Sequence, residues 1–140
     1  MHLLLVEDNP PEVVLVREAL KQVRVPIELS AVSTGTQALA FLRHHPPYVA
    51  VATPHLVLLD LNLPQKTGHE VLAELQQDPE LHGIPVVVLT SSSEPEDINQ
   101  CYELGANAYL VKPLELEPFL TLMKNTVMFW GACQFRTLAD

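Results

Sequence analysis

The chain is poor in basic residues and cysteine, and it has no long apolar run. Eight lysines and arginines oppose seventeen aspartates and glutamates, which gives a formal net charge of −9 at pH 7. Because nucleic-acid phosphates are bound by clustered Lys and Arg, we expect no direct nucleic-acid partner. No apolar stretch reaches the length of a transmembrane helix. The apolar run at the N-terminus ends at Glu7, which makes it too short for the hydrophobic region of a signal peptide. We therefore expect no membrane association.

The two cysteines give no sign of a metal or redox motif. Cys101 and Cys133 fall in separate stretches of helical pattern. This usage is typical of a reducing compartment, and we expect a cytoplasmic protein. The length of 140 residues and a hydrophobic content of 48% suit one globular domain over residues 1–140.

Short apolar runs alternate with segments of helical spacing along the chain. Runs of this length, apolar at successive positions, are typical of buried parallel strands. The alternation predicts an α/β fold, a doubly wound sandwich around a parallel sheet. Pro118 is expected to open the last helix, which would extend to about residue 133. The predicted strands cover residues 3–6, 27–32, 56–59, 86–89 and 108–111.

Polar side chains follow four of these runs at the point where each ends. Glu7 and Asp8 follow the first run, Asp60 the third, Thr90 the fourth and Lys112 the fifth. The carboxyl ends of parallel strands meet at one edge of the sheet, where open α/β sheets bind their ligands. We therefore expect three carboxylates, a hydroxyl and an ammonium to lie together.

The carboxylates at this edge have the oxygen chemistry of a site for a hard divalent cation. Glu7, Asp8 and Asp60 suit Mg²⁺ (or Mn²⁺) better than Zn²⁺, and a cation would offset the repulsion between them. The cation would also withdraw charge from a phosphoryl group, so that a carboxylate could attack it and form an acyl phosphate.

Three further residues would contact that phosphoryl group. Lys112 could pair with its oxygens and Thr90 could donate a hydroxyl, while small Ser91 leaves room for the group to enter. Each residue alone has an ordinary structural role, such as capping a helix or carrying a surface charge in a turn. Their joint occurrence at successive strand ends is what indicates the site.

These residues match a known family. Over nearly its full length, the chain resembles the receiver domain of bacterial two-component response regulators. The resemblance implies the flavodoxin-like (βα)5 fold, with five parallel strands in the order 2-1-3-4-5. It is carried by VEDN at residues 6–9, LLDLNLP at 58–64, Gly68, VLTS at 88–91, GA at 105–106 and YLVKP at 109–113.

The resemblance implies a role for each carboxylate. Asp60 would take a phosphoryl group from a phosphohistidine of a sensor kinase. Mg²⁺ would be held by Asp8, Asp60 and the backbone carbonyl of Asn62, with Glu7 acting largely through water.

The resemblance also implies how the signal would leave the domain. Thr90 would move toward the phosphoryl group, and Tyr109, at the aromatic switch position, would enter the space that it vacates. The peptide bond between Lys112 and Pro113 would be cis, an uncommon isomer. Because no further module is recognised in the sequence, we expect the output to be protein contact.

A narrower likeness is to the small stand-alone regulators that serve cyanobacterial and bacterial phytochromes. It is carried by residues 8–10 and 18–21, the proline-rich connection 43–55, and Phe129 with Trp130. It implies that the sensor histidine kinase is phytochrome-like.

The last helix has more apolar surface than a core-facing stripe needs. At about 100° per residue, its apolar side chains spread over roughly half the circumference. Because the excess ends at Phe129 and Trp130, we expect a homodimer through the fifth-helix face. Core packing under a C-terminal extension is the alternative.

Two rival functions remain open from the sequence. An aspartyl-phosphate phosphohydrolase would share Asp60 and Mg²⁺. Such an enzyme typically has a second acid two residues after the nucleophile as general acid/base, but this position is Asn62, which cannot transfer a proton in that role. A pseudo-receiver would act only as a binding module. The intact set of Asp8, Asp60, Thr90 and Lys112 disfavours it.

Overall fold

Five strands and five helices alternate along the chain in the computed structural model, which describes residues 1–135. Residues 136–140, the end of the predicted domain, lie outside the described residues. The strands are β1 (His2–Val6), β2 (Glu28–Val32), β3 (Leu56–Leu59), β4 (Val86–Thr90) and β5 (Ala108–Val111). The helices are α1 (Pro10–Lys21), α2 (Gly35–Leu42), α3 (Gly68–Gln77), α4 (Pro95–Glu103) and α5 (Leu116–Ala132).

The strands form one parallel sheet in the order β2-β1-β3-β4-β5. This confirms the predicted flavodoxin-like fold. Val6 pairs with Leu59, and Leu59 pairs with Val88, so the carboxyl ends of β1, β3 and β4 lie level with one another. The winding reverses between β1 and β3, and open α/β sheets bind their ligands at such a point.

Helices cover both faces of the sheet. One core cluster joins strand side chains to α2, α3 and α4, and the other joins them to α1 and α5. Every residue of β1, β3 and β4 is buried. Burial on both faces explains why the sequence of these strands is apolar at nearly every position instead of alternating.

The last helix begins two residues earlier than predicted. It starts at Leu116, which leaves Pro118 within the first turn, where a missing N–H costs no hydrogen bond. It ends at Ala132, close to the predicted end. No helix in residues 1–135 is both long and apolar enough to cross a bilayer.

The prediction of a cis bond between Lys112 and Pro113 is wrong. Within residues 1–135, the only cis peptide bond joins Pro46 to Pro47. The trans form of an X–Pro bond is intrinsically favoured by about 0.5–1 kcal/mol, so the cis form needs tertiary contacts that hold it. Pro113 is only half-buried and Leu114, the residue after it, is fully exposed, so the proline ring has little packing on that side.

Gly68 lets the start of α3 lie against the chain that follows β3. A Cβ atom at this position would lie 2.5 Å from the carbonyl oxygen of Asp60 and 2.7 Å from the Cα of Leu61. The Gly68 amide donates a hydrogen bond to the Leu61 carbonyl oxygen at 2.9 Å. Both obstructing atoms belong to the backbone, which cannot move aside as the end of a flexible side chain can.

The substitution Gly68→Ala is expected to lower the free energy of unfolding by about 1–3 kcal/mol through this overpacking. Urea denaturation would measure the change. Gly131→Ala in α5 is the matched control, since its Cβ would meet only side-chain atoms of Val25, at 3.0 Å and beyond. Alanine is the better helix former by about 1 kcal/mol, so the control should be neutral or stabilising. Equal destabilisation of both variants would contradict the close-contact explanation.

Candidate functional site

The side chains of Glu7, Asp8 and Asp60 meet at the carboxyl ends of β1 and β3. One carboxylate oxygen from each lies within 4.8 Å of the other two. Glu7 and Asp60 are only 5% and 8% exposed, whereas Asp8 faces solvent. The Asp60 amide donates to the Val6 carbonyl oxygen at 3.1 Å, which extends the β1–β3 pairing to the site. The sheet thus holds three mutually repelling charges together.

The ammonium of Lys112 lies among these carboxylates. Its Nζ is 2.6 Å from Glu12 Oε2, 3.1 Å from Glu7 Oε1 and 3.7 Å from Asp60 Oδ2. The Lys112 amide donates to the Thr90 carbonyl oxygen at 2.7 Å, so the backbone fixes where the side chain starts. With three carboxylates next to one ammonium, and the exposed Asp8 close by, the cluster stays negative; water and salt screen the buried pairs less than an exposed one.

Thr90 places a hydroxyl at the same edge. The residue is fully buried, and its Oγ1 has no hydrogen-bond partner in the part of the chain that the structure describes. An unsatisfied buried hydroxyl costs free energy, so another group at the edge would be stabilised by accepting its hydrogen bond. The neighbouring Ser91 is small and exposed.

The carboxylate cluster fits a hard divalent cation. Glu7 Oε2 is buried and, like the Thr90 hydroxyl, has no partner within residues 1–135. Asn62 stands beside Asp60, and its amide lies 3.5 Å from Asp60 Oδ1. Carboxylate and carbonyl oxygens without Cys or His ligands are the set that Mg²⁺ and Mn²⁺ prefer.

Tyr109 connects β5 to the loop that leaves Thr90. It pairs with Val88 in the sheet and is half-buried. Its hydroxyl donates to the Ser92 carbonyl oxygen at 2.9 Å, and the Ser92 hydroxyl donates to Asp97 Oδ2 at 2.6 Å. Burial raises the pKa of the Tyr109 hydroxyl, which therefore stays protonated and able to donate at neutral pH.

Glu12 is a site residue that the sequence did not predict. It is the third residue of α1, and its carboxylate makes the shortest contact with Lys112. An acid in the first turn of a helix is ordinarily explained by the helix dipole, so nothing in the sequence set Glu12 apart.

The two aromatic residues predicted for an interface lie on α5, away from the site. Phe129 is 64% exposed, but Trp130 is half-buried and packs against the core cluster shared by α1 and α5. Their rings meet edge to face at 5.6 Å. Core packing therefore accounts for Trp130 and for much of the apolar width of the helix, while Phe129 and its neighbour Met128, which is 55% exposed, stay outside it.

Comparison with known proteins places this arrangement in a family. The family model "Response regulator receiver domain" matches residues 3–124. "Response regulator Rcp1" of Synechocystis sp. is 44% identical over 128 residues, which cover 91% of this chain and 87% of that protein. "Probable methanogenesis regulatory protein FilR2" of Methanothrix harundinacea is 36% identical over 128 residues, covering 91% of this chain and 82% of that protein.

Solved structures agree with the sequence comparisons. The structure of the phosphorylated cyanobacterial phytochrome response regulator RcpA has a TM-score of 0.93 and 41% identity, and the match covers 97% of this chain and 98% of that one. The Mn²⁺-bound form of Rcp1 has a TM-score of 0.90 and 42% identity, with 99% of each chain covered. The chain therefore belongs to the response regulator receiver domain family, whose general mechanism is phosphorylation of an aspartate.

Proposed function

We propose that this protein is a phytochrome-type response regulator that accepts a phosphoryl group on Asp60 from a phosphohistidine of a sensor histidine kinase. The position of Asp60 carries the proposal. Its buried carboxylate lies within 4.8 Å of an oxygen of Glu7 and of Asp8, and the Lys112 ammonium is 3.7 Å away. The similarity to Rcp1 and RcpA supports a phytochrome-like kinase as the partner.

In the proposed transfer, an Asp60 carboxylate oxygen attacks phosphorus and forms an O–P bond. The P–N bond to the kinase imidazole breaks, and the nitrogen keeps the electron pair and takes up a proton from water. Lys112 pairs with one phosphoryl oxygen and the Thr90 hydroxyl donates to another. Mg²⁺ held by Asp8, Asp60 and the Asn62 carbonyl oxygen, with Glu7 in support, would draw charge from the phosphoryl group.

The proposed output is a change in protein contacts rather than catalytic turnover. If Thr90 moves to the phosphoryl group, Tyr109 gives up its bond to Ser92 and enters the vacated space. That movement shifts the population of a surface formed by α4, β5 and α5. Each of these elements already exposes a large hydrophobic side chain: Tyr102 on α4, Val111 on β5 and Leu116 on α5.

The whole chain, residues 1–140, is proposed to act as one receiver domain with a prolonged last helix. Its kinase partner is phosphorylated from ATP, so the proposal assigns the protein to the cytoplasm. Neither a nucleic acid nor a membrane is required as a direct partner in this scheme.

Phosphorylation of Asp60 is tested by intact-mass spectrometry with Mg²⁺ and a small-molecule phosphodonor. We expect the wild type to gain the mass of one phosphoryl group. Asp60→Asn should gain none, because an amide lacks the nucleophilic carboxylate oxygen. Asp78→Asn, at the C-terminal end of α3, is the matched control and should label as the wild type does. Equal labelling of the Asp60 and Asp78 variants would refute the assignment.

The metal role of Asp8 is tested by calorimetric titration with Mg²⁺. Asp8→Ala is expected to weaken binding at least about tenfold, the lower end of what the loss of a supporting group in a metal site costs. The free energy of unfolding without metal should hold or rise, since one repelling charge is removed. Glu103→Ala removes an exposed carboxylate from α4 and should change neither quantity. Unchanged Mg²⁺ affinity in Asp8→Ala would show that the ion binds elsewhere.

A homodimer through the fifth-helix face is the third expectation of the proposal. Because Trp130 packs in the core, Phe129→Asp is a cleaner test than a change at both aromatic positions. It should lower the dimer fraction in sedimentation equilibrium by introducing a charge on the exposed apolar patch. Val49→Asp is the control, since Val49 is 66% exposed and lies in the loop after α2. A wild type that stays monomeric at high concentration, phosphorylated or not, would remove this part of the proposal.

A further inference from the structure

The shortest ion pair at the site joins Lys112 to Glu12, a residue with no role in the proposed phosphotransfer. Glu12 Oε2 lies 2.6 Å from Lys112 Nζ, and the two side chains are 23% and 11% exposed. Lys112 also reaches Glu7 at 3.1 Å, but Asp60 at 3.7 Å is beyond hydrogen-bond distance. In this state the Lys112 ammonium is therefore bonded to Glu12 and Glu7 and not to Asp60, the proposed phosphorylation site.

The backbone on both sides of this pair is well fixed. Pro10 and Pro11 occupy the first two positions of α1, and their rings restrict φ to helical values. The Glu12 amide donates to Asn9 Oδ1 at 3.3 Å, which caps the same turn. On the other side, the Lys112 amide is bonded to β4 through the Thr90 carbonyl oxygen. In this state the distance between Glu12 and Lys112 is therefore set by the rotamers of their two side chains.

A bond from Lys112 to a phosphoryl group on Asp60 competes with the bonds that already hold the ammonium. Lys112 Nζ lies 3.7 Å from Asp60 Oδ2 but 2.6 Å from Glu12 Oε2. An ammonium has three donors, and each strong bond to a fixed carboxylate holds it in place. Moving it toward the group on Asp60 lengthens or breaks the bond to Glu12.

We propose that Glu12 is a positioning residue that holds the Lys112 ammonium away from Asp60 until a phosphoryl group competes for it. The proposal rests on the phosphorylation of Asp60 proposed above. Glu12 then limits the rate of phosphorylation, because part of the attraction between Lys112 and the phosphoryl group is spent in separating the pair. It also favours the metal, because a released ammonium would move toward Glu7 and Asp60 and compete with a cation for their charge.

Two substitutions at residue 12 separate positioning from simple charge repulsion. Glu12→Gln removes the charge and the ion pair. Glu12→Asp keeps the charge but is shorter by one methylene, about 1.5 Å, which breaks the close contact. Glu18→Gln removes a charge from an exposed position of the same helix, where Glu18 pairs with Lys21, and serves as the control. Circular dichroism verifies that all variants are folded.

The first measurement is the Mg²⁺ dissociation constant by calorimetry, and the second is the rate of labelling by acetyl phosphate at saturating Mg²⁺. Glu12→Gln and Glu12→Asp should both bind Mg²⁺ several-fold more weakly and label faster, by up to about tenfold. Glu18→Gln should match the wild type in both. Wild-type values in Glu12→Asp, with or without a change in Glu12→Gln, would overturn the positioning role, and so would slower labelling of both variants.

The two proposals fail in different ways. If the wild type is not labelled on Asp60, the proposed function is refuted, and with it the competition of a phosphoryl group for Lys112; the Mg²⁺ titration then tests only whether Glu12 keeps the ammonium away from the metal site. If the wild type is labelled and the residue 12 variants behave like it in both measurements, phosphorylation stands and the positioning role does not.

Discussion

The carboxyl edge of the sheet concentrates buried charge that the remainder of the fold has to compensate. Glu7 and Asp60 are almost fully buried although like charges a few ångströms apart oppose mutual ionisation. Lys112 offsets part of that repulsion, but taking it out of water has its own cost, so the cluster as a whole is a poor source of stability. The stability must come from elsewhere. Three central strands with every residue buried, packed by helices on both faces, supply it.

The sequence predicted those elements whose pattern has a single physical cause. Strands buried on both faces are continuously apolar, and the polar residue that ends such a run marks the ligand edge, so Asp60 and Thr90 could be located without coordinates. Glu12 could not, because its importance depends on the distance to a residue 100 positions away in the chain. The isomer of the Lys112–Pro113 bond could not be read from the motif either. It depends on a difference of about 0.5–1 kcal/mol that local packing decides.

The same argument explains the mixed outcome on α5. Helical spacing shows how wide an apolar face is, but it does not show how much of that face the neighbouring elements cover. Phe119, Met123 and Val127 pack against the sheet, and Trp130 extends the same cluster toward the end of the helix. Near the end of the helix, Met128 and Phe129 are 55% and 64% exposed within the described residues. The apolar excess is thus narrower than the sequence indicated, and it is concentrated where a partner could reach it.

A phosphoryl group on Asp60, as proposed, would compete with two sets of contacts. Lys112 is bonded to Glu7 and Glu12, and Tyr109 is bonded through Ser92 to the loop between Thr90 and α4. The Lys112 amide donates to the Thr90 carbonyl oxygen at 2.7 Å. A shift in the backbone of either residue would therefore alter the pairing between the ends of β4 and β5. A ligand shifts a conformational equilibrium only by its difference in affinity for the two states. In the proposed function, loss of the bonds from Lys112 to carboxylates and from Tyr109 to Ser92 would oppose the conformational change, and the new bonds to the phosphoryl group would have to outweigh that loss.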